Sequence, residues 1–150
     1  MRYTARLILL FLLNISFAEA QNISEWREEN RTGVSAETGL LKSWPEDGPT
    51  LLWTNLELQK GFSSVSFGDN IIYTTGTKDS VDILYALNLE GKMLWQTIMG
   101  RAWNESYPDS RATPTVEGNY VYTSSGLGDI ACTDGTTGKI IWSYKASEIH

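Results

Sequence analysis

The side chains best equipped for chemistry crowd into one stretch, "MGRAWNESYPDSR" (Met99 to Arg111). It carries the guanidinium groups of Arg101 and Arg111, the carboxylates of Glu105 and Asp109, and the rings of Trp103 and Tyr107. Large rings such as Trp103 and Tyr107 offer platforms, so the set suits a small polar ligand or a protein partner. Arg101, Trp103, Tyr107 and Arg111 are the expected ligand or partner face. The same composition also fits a connecting loop whose rings merely lie on a scaffold. Elsewhere the chemistry is thin. The single cysteine, Cys132, lies in an apolar-flanked stretch, and the single histidine, His150, is the last residue. No nucleophile and base are paired by motif, so no catalytic residue and no metal ligand is assigned. "GLGD" (Gly126 to Asp129) is glycine-rich but opens no helix, which excludes a phosphate cradle. Sequons at Asn22, Asn30 and Asn104 are short motifs that arise readily by chance.

The elements that must position these residues are strands. Short runs rich in Ile, Val, Thr, Tyr and Trp alternate with Gly, Asn and Asp, and no helical period is sustained. "SVSFGDNIIYTTG" reads as a run to Phe67, a turn at Gly68 to Asn70, and a second run from Ile71 to Thr75. "TPTVEGNYVYTSSG" repeats it, with Thr113 to Val116, a turn at Glu117 to Asn119, and Tyr120 to Ser124. Gly and Asn tolerate the positive φ that tight hairpins need. The repetition continues: "DILYALN" (Asp82 to Asn88) matches "DIACTD" (Asp129 to Asp134), and "GKMLW" (Gly91 to Trp95) matches "GKIIW" (Gly138 to Trp142). Trp53, Trp95 and Trp142 follow one another at spacings of 42 and 47 residues. Four short strands recurring at such an interval describe a blade of a β-propeller.

Within each copy the local chemistry is consistent. Asn88 or Asp134 ends the third strand and can accept from turn N–H groups. Gly91 or Gly138 supplies a left-handed turn position. Lys92 or Lys139 opens the outer strand, where charge discourages edge pairing. Trp95 or Trp142 then lays a large ring between neighbouring sheets. Trp53, Trp95, Trp142, Gly91 and Gly138 are the expected structural docking residues. The first copy is one residue shorter in its turn, so the two turns should differ.

"CTDGTTGKIIW" (Cys132 to Trp142) resembles the tryptophan-docking repeat of the pyrroloquinoline-quinone (PQQ) enzyme-like propellers, with Cys132 at the usual Ala position. "ALNLEGKMLW" (Ala86 to Trp95) is similar, with Asn88 in place of Asp. Trp26 to Trp53 resembles the lead-in of secreted bacterial members, the outer-membrane barrel-assembly propeller lipoproteins among them, and Tyr107 to Val116 resembles the start of their second blade. The resemblance implies a ring of about seven or eight blades. The expected fold is thus all-β, a partial β-propeller. It comprises a lead-in over 21–49, an incomplete propeller over 50–150 with blades near 62–95 and 112–144, and one orphan outer strand near Thr50 to Thr54. Two blades cannot close a ring, which points to a fragment or truncated gene.

Residues 1–20 read as a signal peptide: Arg2 and Arg6, an apolar run from Leu7 to Phe17, then "AEA". The run is short for a membrane span, so none is expected after cleavage. Losing two Arg and one Glu takes the net charge from -6 to -7. That acidity excludes a nucleic-acid partner, which would need clustered Lys and Arg. The expected function is a non-catalytic binding or scaffold module, periplasmic or extracellular, meeting a protein or glycan at a propeller face. The alternative that the resemblance implies is the N-terminal part of a PQQ-dependent dehydrogenase of alcohols or sugars, with PQQ and calcium as its cofactors. The adjacent-cysteine pair of many such enzymes has no match here.

Overall fold

A computed structural model describes residues 26–149, apart from 28 and 36. The signal-peptide reading and Asn22 lie outside the described residues. Two four-stranded antiparallel sheets account for the regular structure, and each is a simple meander. The first holds β1 (Ser66–Gly68), β2 (Ile71–Lys78), β3 (Val81–Asn88) and β4 (Met93–Arg101). The second holds β5 (Thr115–Glu117), β6 (Tyr120–Ser124), β7 (Ile130–Asp134) and β8 (Ile140–Tyr144). Two short 3-10 turns, Glu29–Arg31 and Ala146–Glu148, flank them.

The hairpins follow from their turn residues. Asp69 and Asn70 take φ of 50° and 61°, the left-handed pair that joins β1 to β2 with the twist of the flanking strands. The β3–β4 turn spans Asn88 to Lys92, and its counterpart spans Asp134 to Lys139. In the first, Gly91 N–H donates to the Asn88 carbonyl; in the second, Gly138 N–H reaches the Asp134 carbonyl one residue further back. The side chain of residue 88 or 134 completes each turn, Asn88 Oδ1 accepting from Lys92 N–H at 2.8 Å and Asp134 Oδ1 from Thr137 N–H at 2.7 Å. Both sheets carry the same irregularity just after the tryptophan's partner. Ala86 faces Trp95 but Leu87 faces Met93; Cys132 faces Trp142 but Thr133 faces Ile140. One extra residue in the fourth strand, a bulge, sharpens its twist as it leaves the turn.

The sheets pack face to face. Tyr73, Leu84, Ala86 and Met99 of the first form a buried cluster with Val116 and Val121 of the second. In each sheet a tyrosine of the second strand stands at the same 47° tilt to the tryptophan of the fourth, with centroids 6.0 Å apart for Tyr73–Trp95 and 6.2 Å for Tyr122–Trp142. Antiparallel alternation puts the β1–β2 and β3–β4 turns at one end of the pair, and the β2–β3 and β4–β5 connections at the other.

Two local expectations need correction. β2 runs on to Lys78 rather than ending at Thr75, because Gly76 and Thr77 stay paired with Ile83 and Asp82. Gly76 is tolerated there since a Cβ would lie 2.6 Å from the Gln59 carbonyl oxygen, where another backbone crosses. β4 continues to Arg101, so the connecting loop starts at Ala102 and not at Met99, whose side chain is buried. Residues 50–54 join neither sheet, as expected of an outer strand with no blade partner among the described residues.

Candidate functional site

The tryptophans reach forward along the chain. Trp53 Nε1 donates to the Leu89 carbonyl at 2.9 Å, and its ring covers Gly91, where any Cβ would collide with it. Trp95 Nε1 donates to the Gly135 carbonyl at 2.9 Å, and a Cβ on Gly138 would lie 2.7 Å from the indole. Each indole therefore rests on the β3–β4-type turn of the unit that follows it. Gly135 O also accepts from the Tyr73 hydroxyl at 3.1 Å, so one carbonyl takes two bonds from the preceding sheet. Thr97 Oγ1 adds a bond to Gly138 O at 2.6 Å. Burial, then the charges of Asp69 and Asp134, push the Tyr73 phenol up to about 12. Trp142 stands 47 % exposed, its ring against Tyr122.

At the opposite end lie the residues expected to form a ligand or partner face, and they separate into two groups. Arg101 closes β4; its N–H donates to Asp129 Oδ2 at 3.2 Å, its carbonyl accepts from Leu127, and its side chain is exposed. Trp103, Tyr107 and Arg111 belong to the loop proper. Trp103 Nε1 donates to the Ser106 carbonyl at 2.7 Å, and its backbone runs so close to Gly126 that a Cβ there would meet Trp103 N at 2.5 Å. Arg111 Nη2 donates to the carbonyls of Tyr107 and Pro108. Its guanidinium carbon stands 5.6 Å from the Phe62 ring centroid and 6.0 Å from that of Tyr107. The loop is thus braced from within, while Tyr107 keeps 81 % of its surface exposed. An open cleft of about 280 Å³ runs between Trp103, Asp109, Arg111 and the Ser124–Gly126 segment. Arg111 also lines a second cleft, on the side of β1 and β5.

Sequence reasoning missed two buried carboxylates that fix this end. Asp82 is 1 % exposed; it accepts from the Thr77 hydroxyl and, across the seam, from Gly126 N–H at 2.7 Å. Asp129, equally buried, accepts from Arg101 N–H and pairs with Lys145 at 3.8 Å, while its own N–H donates to Ser125 Oγ. Each opens the same "Asp-Ile" doublet, and that recurrence was the available signal. Buried carboxylates of this kind persist only when their oxygens are satisfied, so their role is to tie loops to strands.

These donors do not fit a calcium ion. Calcium takes six to eight oxygen ligands, whereas both Asp82 oxygens are taken by the Thr77 hydroxyl and the Gly126 N–H, and Asp129 Oδ2 by the Arg101 N–H and the Lys145 ammonium. Among the described residues no group of three or more His, Cys, Asp or Glu is placed to hold a metal. Burial also pushes the Cys132 thiol above its ordinary range, away from the nucleophilic thiolate.

Two meandering four-stranded sheets, stacked face to face and joined by forward-reaching indoles, are two blades of a β-propeller. A family model described as "Outer membrane protein assembly factor BamB" matches residues 80–150. Residues 80–150 are thus similar to this PQQ-like, BamB-like propeller-repeat family, and the match covers just under half of the chain. No curated protein matches it. Among solved structures, BamB from Moraxella catarrhalis is similar over 65 % of this chain at 16 % identity, with a TM-score of 0.31. The chain spans only 41 % of that structure's length. No helix among the described residues is long and apolar enough to cross a membrane.

Proposed function

We propose that this protein is a non-catalytic scaffold, acting outside the cytoplasm, that presents the loop-bearing end of its blades to protein partners in outer-membrane protein assembly. One observation carries the reading. Trp103 and Tyr107 are displayed on a loop that Arg111 and backbone bonds hold in place. A large ring held in position loses little entropy on binding, which is why such residues anchor interfaces. The family description supplies the setting, assembly of outer-membrane proteins. The two buried aspartates support the same view, since they stiffen this end of the molecule.

The test is site-specific photocrosslinking of the full-length protein in its own cells. A photoreactive residue replaces Trp103 or Tyr107, and in a control Glu117, at the opposite end. Adducts with outer-membrane assembly proteins from 103 and 107, with none from 117, support the scaffold. Equal capture from both ends refutes a directed face. PQQ-dependent dye reduction in the presence of calcium overturns the non-catalytic reading. Recovery in the cytoplasmic fraction overturns the proposed compartment.

A further inference from the structure

The second cleft, on the β1 and β5 side, differs in character from the rest of an acidic molecule. It has a volume of about 550 Å³ and is lined by Trp26, Arg31, Phe62, Ser64, Arg111, Thr113 and Thr115. Among the described residues that lining holds two guanidinium groups, three hydroxyls and two rings, and no carboxylate, in a chain whose net charge is -6. Local charge of the opposite sign to the whole focuses anions into such a cleft.

Arg111 is arranged to receive one. Its Nη2 is anchored on the carbonyls of Tyr107 and Pro108, and Phe62 and Tyr107 flank the guanidinium. Nε and Nη1 carry no partner among the described residues. A planar fork fixed along one side leaves its remaining donors preset for a carboxylate, with little further entropy to lose. Thr113 Oγ1 accepts from Ser64 N–H at 3.1 Å, which leaves its hydroxyl proton available to the cleft. The geometry points to this cleft as a receptor for an acidic, extended segment of a partner protein, read by Arg111 together with the hydroxyls of Thr113 and Thr115. The inference rests on the scaffold reading for its biological setting, and the cleft chemistry stands apart from it.

Calorimetric titration of the full-length protein with blocked hexaglutamate, and with hexaglutamine as the neutral control, tests the assignment. Hexaglutamate binds, and more weakly as salt rises. Arg111→Ala weakens binding ~10-fold or more, the scale of a lost charge-assisted bond. Arg111→Lys recovers only part of that loss, because lysine lacks the fork. Thr115→Val, which keeps the strand's shape, weakens binding ~3-fold with an unchanged melting temperature. Arg101→Ala, outside both clefts, changes binding less than ~2-fold. Equal binding of hexaglutamine, or an equal loss in Arg101→Ala and Arg111→Ala, overturns the assignment. One-for-one displacement of the peptide by acetate or inorganic phosphate makes this a small-anion site and overturns the peptide reading. Crosslinks from 103 and 107 without hexaglutamate binding sink the cleft alone; hexaglutamate binding without those crosslinks sinks the scaffold reading alone.

Discussion

Gly138→Ala is the substitution that most directly interrogates the seam between the blades. Two penalties add. Gly138 has φ +73°, and an L-residue held in the left-handed region costs about 1–2 kcal/mol. The new Cβ would also stand 2.7 Å from Trp95 Cδ2 and Cε3, far inside the roughly 3.5–4 Å of an ordinary carbon contact. The indole cannot simply retreat, because Nε1 is held on Gly135 O, and Thr97 Oγ1 lies 3.1 Å from the same Cβ. Moving the ring away sacrifices that hydrogen bond, worth about 1 kcal/mol, and part of its contact with the turn. The sum is a loss of about 3 kcal/mol. Gly118→Ala is the internal control: φ is +54° and nothing lies within 4 Å of its Cβ, so only the conformational part, about 1 kcal/mol, applies. Equilibrium urea unfolding, with unchanged slope, measures both. In a Trp95→Leu background the cost of Gly138→Ala should fall to that of Gly118→Ala, the signature of coupling in a double-mutant cycle. Equal costs for the two glycines in the native background would refute the reasoning, since the indole would then not press on the turn.

Four further outcomes are expected. Tyr73 ionises near 12 when folded and near ~10 when unfolded, so the unfolded state releases its proton first. Stability is then full below pH ~10 and falls as pH rises toward the folded value; Tyr73→Phe removes that slope in alkaline unfolding curves. Hydrogen bonds from the Thr137 hydroxyl and N–H, then from Asn119, hold the Asp134 carboxyl below its ordinary range. Its contribution is present above pH ~4 and lost as pH falls through the lower folded value, so Asp134→Asn flattens the acid limb of the stability profile. Asp82→Ala should destabilise by about 3 kcal/mol in denaturant melts, because it strands Gly126 N–H and the Thr77 hydroxyl. Trp95→Phe should cost about 1–2 kcal/mol through its lost bond to Gly135 O, and Trp142→Phe, at a half-exposed ring, less than about 1 kcal/mol in the same assay.

The blade plan was legible because it is written in local chemistry. Asp69-Asn70, Gly91 and Gly138 announce positive φ, and the β-branched runs between them have nowhere to go but strands. What escaped the sequence was set by contacts distant along the chain. Nothing near Gly76 says that the Gln59 backbone crosses it, so β2 reads as ending early. Arg101 looks like a loop residue until its pairing with Val81 extends β4. Arg111 reads as a ligand-facing cation, and only the fold shows that half of its fork is committed to the carbonyls of its own loop. Asp82 and Asp129 resemble surface charges in composition, whereas the seam buries both.

The forward reach of the indoles gives every seam a sender and a receiver. Trp53 and Trp95 send; the turns at Gly91 and Gly138 receive. Such head-to-tail joints have a polarity, unlike the self-matching surfaces of two-fold dimers. A gene segment running from one tryptophan to the next carries one complementary half of a joint at each border. Tandem duplication or excision of that segment leaves matching borders behind, so blade number can change in evolution or by design without reworking any single contact.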